Sequence, residues 1–416
     1  MKFRLLSLAL CVIMLAACVS LTACTKEPAT PEEGTLTRMT VDINPSVEFM
    51  VDDENKIISA TALNDDGSIL IAGEAFIGKT PEEATAMMVT LATETGYLIK
   101  GDVVATENTV KISISGDTQY AEELSKRVQA AAADTLTKMD VNGMVTKIDA
   151  MNLEALREAA LATGLYTEEQ ISEMDEQQLY TVLAQSRVET ALLLTEEMRE
   201  AYYAAKEHRI SFAEREETAR IIKELGGLYN LTHTAYKAAL DAYSSAILAV
   251  EDFRYETLIS PESAYQKSLS ELRAAKTDLL AQKNYVASLE VDGEVYAEAT
   301  LQLSMTEEEY EKALAAYEAL GAQADAALQE LINAMKQAEA QLIELESQLF
   351  DQNIEAALQE KAYEIENNLN AVKDNYFAEF EAAHAEDIAA MEARLIAEKQ
   401  ALKDSIQGST ETTAAD

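Results

Sequence analysis

Residues 40–49, Thr40-Val41-Asp42-Ile43-Asn44-Pro45-Ser46-Val47-Glu48-Phe49, carry the pattern on which the fold prediction depends. Apolar residues at Val41, Ile43, Val47 and Phe49 alternate with polar ones, and this alternation predicts a β-strand. Proline donates no hydrogen bond to a neighbouring strand, so Pro45 predicts a sheet edge or a bulge.

The Asn44–Pro45 bond also permits a specific reaction. The side-chain amide nitrogen of Asn44 can attack the carbonyl carbon of its own residue, with the Pro45 nitrogen as the leaving group. The competing succinimide route needs the next backbone N–H, which proline lacks. The alternative interpretation is a simple kink, because Asn before Pro is a common turn signal and strained functional bonds cost stability.

This segment and the motifs after it resemble the extracytoplasmic middle domain of the anti-sigma-I factor (RsgI-like) family. The resemblance is carried, in order, by residues 42–48, 56–60, 62–67 and 78–84, and it extends toward residue 165. It implies an α/β extracytoplasmic domain that passes an outside signal to a membrane-bound regulator. Self-cleavage between the Asn and Pro of the matching motif is known for members of this family, which implies Asn44–Pro45 as the cleavage bond.

The chain departs from the family before this domain. A full member carries a cytoplasmic sigma-binding segment and a spanning helix there, whereas residues 1–35 here have the pattern of an export signal and tether. We therefore expect a relative of the sensor half that lacks the sigma-binding segment, and not an anti-sigma factor itself.

The N-terminus predicts a lipoprotein. A basic start, Met1-Lys2-Phe3-Arg4, precedes an apolar run, which is typical of a signal peptide. Small residues precede both Cys18 and Cys24, and Cys24 is preferred because a polar, proline-bearing segment follows it directly. The predictions are a signal peptide over 1–23, lipidation at Cys24 with palmitate among its acyl chains, and a tether over 24–35. Cys18 as the anchor and an ordinary cleaved signal are the alternatives.

Charge and cysteine content narrow the partners and the location. The net charge of −41 argues against nucleic acid, whose phosphates need a basic surface. All three cysteines lie in the leader, so the mature chain forms no disulfide. No later segment is long and apolar enough to span a bilayer. The expected location is the extracytoplasmic face of the cell membrane, with the lipid anchor as the membrane contact.

Element patterns predict an α+β N-terminal domain with a small sheet over 36–165, then a long all-α coiled-coil or helical-bundle region over 166–406 and a disordered tail over 407–416. In the first domain we predict strands near 37–51, 56–64 and 109–115, and helices near 81–95, 118–139 and 152–162, with a short strand after 143. In the second we predict helices over 168–224, 228–259, 261–289 and 307–405. Thr80 and Thr306 are the predicted N-caps of the helices that follow them.

The last predicted helix has heptad spacing. Leu328, Met335, Leu342 and Leu349 are seven residues apart, and the register shifts near 351–353. Such spacing predicts a coiled-coil seam, and a shift changes the supercoil locally. We expect a long antiparallel helical hairpin or bundle.

The sequence contains few candidate groups for metal binding or catalysis. His208, His233 and His384 are far apart and lack metal-ligand spacing, and no phosphate-binding loop or nucleophile motif occurs. We predict no metal, no cofactor and no enzymatic activity beyond a single-turnover self-cleavage. The expected function is sensing or signal transduction by a surface lipoprotein, through a protein partner or self-association of its helices. The alternative is a coiled-coil scaffold or spacer of the cell envelope.

Overall fold

The computed structural model describes residues 36–101, 103–115, 119–148, 152–163, 165–166, 168–189, 193–291 and 293–413. The predicted signal peptide, the lipidation site Cys24 and the tether lie outside these residues, so they stay predictions.

Five strands form one mixed sheet within the described residues, in the order β3-β2-β1-β4-β5. All neighbours are antiparallel except β4 and β5, which are parallel. With the long helical region that follows, this sheet confirms the predicted fold class. The strands are β1 (Thr37–Asp42), β2 (Ser46–Val51), β3 (Ile57–Ala62), β4 (Thr109–Ile114) and β5 (Met144–Lys147).

The segment 37–51 is a hairpin and not the single strand that we predicted. Val41 pairs with Val47, and Met39 pairs with Phe49, so the same alternation serves two antiparallel strands with one shared apolar face. Pro45 lies in the turn between them. Because β1 is the central strand of the sheet, the prediction that Pro45 marks an edge or a bulge was wrong.

The main core lies between one face of the sheet and two helices. Val41 and Phe49 from the sheet, Val89 from one helix and Leu124 from the other are completely buried in one cluster. The predicted N-cap Thr80 is confirmed, since its side chain and that of Glu83 form a reciprocal capping box. The first helices are α1 (Asp65–Ile71), α2 (Pro81–Glu94) and α3 (Gln119–Lys138).

The opposite face of the sheet is polar but also covered. Glu48 points away from the main core and is 1% exposed. Its carboxylate binds Arg38 from β1 and Arg187, which lies in the covering helix α6 (Glu176–Glu189). Burial opposes the charge of Glu48, but the two guanidinium groups hold its pKa below its usual range. The apolar residues of these alternating strands therefore face the core, and the polar residues face a buried layer of ion pairs and not solvent.

The rest of the described chain is helical. A π-helical turn over Arg254–Ile259 extends α8. The helices are α4 (Leu153–Leu161), α5 (Glu168–Glu173), α6, α7 (Glu196–Leu225), α8 (Asn230–Phe253), α9 (Ala264–Ser288), α10 (Glu294–Leu349), α11 (Gln352–Glu360), α12 (Ala362–Ala383) and α13 (Ala385–Thr413).

The single helix predicted over 307–405 is four helices. Helix α10 begins earlier, so Thr306 is an interior residue whose hydroxyl donates to the Gln302 carbonyl, and the N-cap prediction there was wrong. The predicted register shift coincides with a chain break, where Asp351 caps α11 through the backbone N–H groups of Asn353 and Ile354. Helix α13 continues through Thr413 into the predicted tail, and Ile406, directly before that tail, packs against Gly96 of the first domain.

The heptad seam packs inside the chain. Leu328, Met335 and Leu342 are buried in one cluster with Tyr236 and Tyr243 of α8. Helices α8 and α9 both pack along α10 and run antiparallel to it, which is the long antiparallel hairpin predicted. Among the described helices, none combines the length and the apolar composition needed to cross a membrane.

The helical region packs against the first domain at further places besides the contact of α6 with the sheet. Leu156 and Ala160 of α4 share a cluster with Leu179 of α6, so the packing continues across the predicted boundary at residue 165. Helices α9 and α13 pack against α1, and α13 also contacts α2. We call helices α9, α10 and α13 together the arm.

Candidate functional site

The Asn44–Pro45 bond lies at the tip of the β1–β2 hairpin. The backbone N–H of Ile43 donates to the Pro45 carbonyl at 2.7 Å, so Asn44 is the one residue between the paired ends. Its φ of 55° is in the left-handed region, which Asn tolerates better than most residues. A residue before proline is normally confined to extended conformations, so the backbone at this bond is strained.

Asn64 holds this turn from the neighbouring loop. Its side-chain nitrogen donates to Oδ1 of Asn44 at 3.3 Å. Its side-chain oxygen accepts from the backbone N–H of Ser46 at 3.1 Å and of Gly67 at 2.8 Å. One amide therefore fixes the Asn44 side chain, the start of β2 and the N-terminus of α1.

Gly67 makes this arrangement possible. A Cβ atom at this position would lie 2.3 Å from the Ser46 carbonyl oxygen, which is much closer than van der Waals contact. Only glycine lets α1 approach the residue that follows the Asn44–Pro45 bond.

The turn has several groups that the intramolecular reaction needs. Asn64 binds the side-chain oxygen of Asn44 and leaves the side-chain nitrogen outside that contact. The hydrogen bond to the oxygen withdraws electron density from the amide, so the protons on the nitrogen become more acidic. Asp42 accepts the backbone N–H of Asn44 at 3.0 Å, and its second oxygen lies 3.3 Å from the Lys111 ammonium. A carboxylate held beside the reacting residue is a candidate proton acceptor.

Helix α1 connects this turn to the arm. Asn64 is its N-cap, and the next two residues are bound from α9: Arg273 forms a two-point ion pair with Asp65, and Lys276 binds Asp66. The Tyr97 hydroxyl also donates to Asp66 at 2.8 Å. Burial raises the pKa of Tyr97 well above its ordinary value, with the Asp66 charge acting in the same direction.

The other end of α1 is bound by α13. The Lys399 ammonium is buried and donates to the carbonyls of Leu70 and Ala72, at the end of the helix where backbone partial charge is negative. It also pairs with Glu74 at 2.6 Å. Burial lowers the pKa of Lys399, and Glu74 opposes that shift.

A cavity of about 800 Å³ opens beside the turn. Ile43 and Asn44 form one side of it, the segment around Tyr97 and Val104 forms another, and the arm closes it. Asn44 is exposed, so the bond is reachable by water or by a bound molecule from this cavity.

Asn44 and Pro45 were predicted from the sequence, but the residues that hold them were not. The available signal was Asn64 as an N-cap before an acidic first turn. Arg273, Lys276 and Lys399 gave no signal, because a lone cation on a predicted helix is indistinguishable from a solvated one. The predicted lipidation site Cys24 lies outside the described residues. His208 and His384 both line one cavity in the helical region, whereas His233 lies elsewhere.

Comparison with known proteins assigns the first domain. Residues 37–171 match the model of the family described as anti-sigma factor RsgI-like central domain. The chain is also similar to the anti-sigma-I factor RsgI7 of Acetivibrio thermocellus, with 30% identity over 139 residues. That match covers 32% of this chain and 25% of the relative, so the chain spans about a quarter of the length of this curated relative.

Proposed function

Since residues 37–171 form an RsgI-like central domain, we propose that the protein is a non-enzymatic regulator that senses a signal outside the cytoplasm. It is held on the outer face of the membrane by a lipid on Cys24 and acts through a protein partner. The family assignment supports a regulatory role, and the strained Asn44–Pro45 turn is the observation that supports a cleavage-dependent mechanism.

The proposed chemical step is a single intramolecular cleavage. The amide nitrogen of Asn44 loses a proton to Asp42 and attacks the Asn44 carbonyl carbon, which forms a new C–N bond and closes a succinimide ring. The bond to Pro45 breaks, and the Pro45 nitrogen takes up a proton and becomes the new N-terminus. No cofactor is required, and the reaction occurs once per chain.

The contacts of α1 support a link between the arm and this bond. The same short helix binds the Asn44 turn through Asn64 and the arm through Asp65 and Asp66. A partner or force that displaces the arm therefore acts on the helix that positions Asn44, and we propose that this is how the outside signal reaches the bond.

The test is the intact mass, under denaturing conditions, of the protein spanning residues 25–416. Self-cleavage predicts a fragment ending at Asn44 and a second beginning at Pro45 in the unmodified protein, and a single mass for Asn44→Ala. Asn55→Ala is the matched control, because Asn55 also has a left-handed φ of 60° but does not precede proline. A single intact mass for the unmodified protein, with and without destabilising urea, would reject the cleavage step.

The anchor is tested separately in a bacterial host. Metabolic labelling with palmitate and membrane fractionation are expected to show a labelled, membrane-bound protein that Cys24→Ser abolishes and that Cys18→Ser leaves labelled. Loss of label with Cys18→Ser alone would move the anchor to Cys18.

The second candidate function is an envelope spacer. Helix α10 has 56 residues, which at about 1.5 Å per residue gives a rod of about 84 Å. However, its heptad seam is buried against α8, so the residues proposed for self-association already have a partner within the chain. An uncleaved, elongated dimer in solution scattering would favour the spacer over the regulator.

A further inference from the structure

A second cavity, of about 470 Å³, lies within the helical region and away from the Asn44 turn. It is bounded by α7, by the end of α8 with its π-helical turn, and by the junction of α12 and α13. This volume is in the range of small-molecule sites in proteins. Turns of π-helix occur frequently at functional sites.

The cavity wall is mainly apolar and aromatic. Val250, Ile259, Tyr376 and Phe380 line it and are buried. The Phe380 ring lies 4.5 Å from the His384 ring, between centroids, so an aromatic surface extends to the end of α12. Such a wall accommodates an apolar or aromatic group of a ligand.

Two polar groups of the wall are buried without a partner among the described residues. These are Nδ1 of His208 and Nε of Arg254, which lies in the π-helical turn. Within the part of the chain that the structure describes, Arg254 has no carboxylate within ion-pair distance, and the charge of Glu200 acts on it only from farther away. Buried donors are nearly always satisfied in folded proteins, so a guanidinium in this position favours a ligand carboxylate.

The mouth of the cavity carries mostly carboxylates, although Arg209 also lines the cavity. Asp252, Glu256 and Glu379 are exposed at its rim. Asp387 lies deeper, where it accepts from the Tyr255 hydroxyl at 3.2 Å and faces His384 at 3.7 Å. These carboxylates disfavour a polyanion such as a phosphate ester and favour a ligand that also carries an ammonium group.

We propose that this cavity binds an amphoteric small molecule of the amino-acid type with an aromatic or branched apolar side chain. Its carboxylate binds Arg254 and His208, its side chain packs on Tyr376 and Phe380, and its ammonium group faces the carboxylates of the rim. This site is independent of the Asn44–Pro45 bond and stands whether or not that bond is cleaved.

The ligand test uses the protein spanning residues 25–416 and calorimetric titration. L-phenylalanine is the probe, with L-leucine beside it, and each charge is removed in turn by using 3-phenylpropionate and phenethylamine. We expect L-phenylalanine to bind, and each single-charge analogue to bind at least about tenfold more weakly, because each loses one charge-assisted contact. Absence of binding by both amino acids, or equal binding of L-phenylalanine and either analogue, would overturn the proposal.

Variants then locate the site. Arg254→Gln and His208→Gln are expected to weaken L-phenylalanine binding, by at least about tenfold for Arg254→Gln. The matched controls are Arg220→Gln and His233→Gln, which change the same residue types outside the cavity. Thermal melting checks that each variant is folded. Unchanged affinity of a folded Arg254→Gln protein would also reject the site, and the analogue series on the unmodified protein keeps the test decisive if that variant does not fold.

Discussion

Asn64 holds the Asn44–Pro45 turn through both the oxygen and the nitrogen of its side-chain amide, and mutation can remove one contact without the other. Asn64→Asp keeps the oxygen that accepts from Ser46 and Gly67 but loses the donor to Asn44. Asp and Asn are equally good N-caps, so we expect a change in unfolding free energy of less than about 1 kcal/mol. We expect the new carboxylate to accept a hydrogen bond from the side-chain nitrogen of Asn44. This turns the Asn44 amide and slows cleavage.

Urea unfolding and the half-time of cleavage measure these two effects. Asn152→Asp is the matched control, because Asn152 caps α4 in the same way but does not touch the turn. Asn64→Ala removes both ends and is expected to cost about 1–2 kcal/mol of stability as well. Unchanged cleavage in Asn64→Asp would show that the contact with Asn44 has no role in the reaction.

His208 gives a prediction for the pH dependence of stability. Burial, and then the nearby Arg254 charge, lower its pKa to about 4. In an unfolded chain, histidine has a pKa of about 6.5. Above pH 6.5 both states are neutral at this residue; as the pH falls below 6.5, only the unfolded state gains the proton, so stability is lost between pH 6.5 and 4.

The expected loss from His208 is at most about 2 kcal/mol at pH 5, relative to pH 7.5. The measurement is the difference in unfolding free energy in urea between the unmodified protein and His208→Gln across this pH range. The many carboxylates contribute equally to both proteins, so their effect cancels in the difference. His233→Gln serves as the control for loss of a histidine. A difference that does not change with pH would contradict the lowered pKa.

Individual residues were predictable from sequence where their chemistry is local. The Asn44–Pro45 bond and the Thr80 capping box are defined by neighbours in the chain, so both could be identified before the fold was known. Glu48 could not, because its burial depends on Arg187 in a helix far along the chain. Alternation shows which face of a strand a residue occupies but does not show what covers that face.

At the scale of elements, α1 is held at both ends by the arm, and Arg273 is the contact to remove. Its guanidinium is 6% exposed and binds both Asp65 and Glu398. Arg273→Gln leaves these two carboxylates near each other without the cation that pairs with both, so we expect a loss of about 2–3 kcal/mol in unfolding free energy. We also expect faster hydrogen exchange in α1 than in α2, because only α1 loses its contact with the arm.

Arg220→Gln is the comparison for this variant. Arg220 also contacts several carboxylates, those of Glu217, Glu224 and Glu364, but it lies at the surface of α7, where such pairs contribute less than about 1 kcal/mol. Equal losses in the two variants would show that Arg273 is not a special link between α1 and α9.

The helical elements were predictable in type and less so in length. Strong helix formers and heptad spacing identified the bundle, and the shift of register marked the break at Asp351. The breaks at Lys361 and His384 were missed, because the neighbouring sequence has no glycine or proline. Helices α11 and α12 both pack against α7, and after the break at His384 α13 packs against α9 instead, so tertiary packing overrides local helix propensity there.

At the scale of the whole molecule, the docking of the arm was beyond sequence analysis. It depends on close approach at glycines of the first domain. Gly101 has a φ of 101°, and a Cβ there would lie 2.3 Å from the Ala287 carbonyl of α9. Glycine in a loop is normally a turn signal, so its second role, as a contact surface for a distant helix, is hidden until the fold is known.

The place of β1 in the sheet determines what self-cleavage does to the molecule. The proposed cleavage after Asn44 would leave β1 on the N-terminal fragment, yet β1 lies between β2 and β4 and buries Met39 and Val41 completely. We therefore expect the cleaved fragments to stay together in native buffer and to elute as one species in gel filtration. Urea is expected to separate them, whereas Asn44→Ala stays one chain throughout.

Mutations in the core change how stably the two fragments associate after cleavage. Val41→Ala removes buried methyl groups at the centre of the sheet and is expected to cost about 2 kcal/mol, so the fragments separate at a lower urea concentration. Val295→Ala, which changes an exposed valine of the arm, is the matched control. Loss of the short fragment in native buffer would mean that cleavage itself releases the domain; retention with the expected sensitivity to Val41→Ala would mean that release needs an additional force or partner. In the proposed mechanism, the cleaved bond lies in the turn between β1 and β2. A signal then has to separate the strands of the sheet, and not to break the peptide bond.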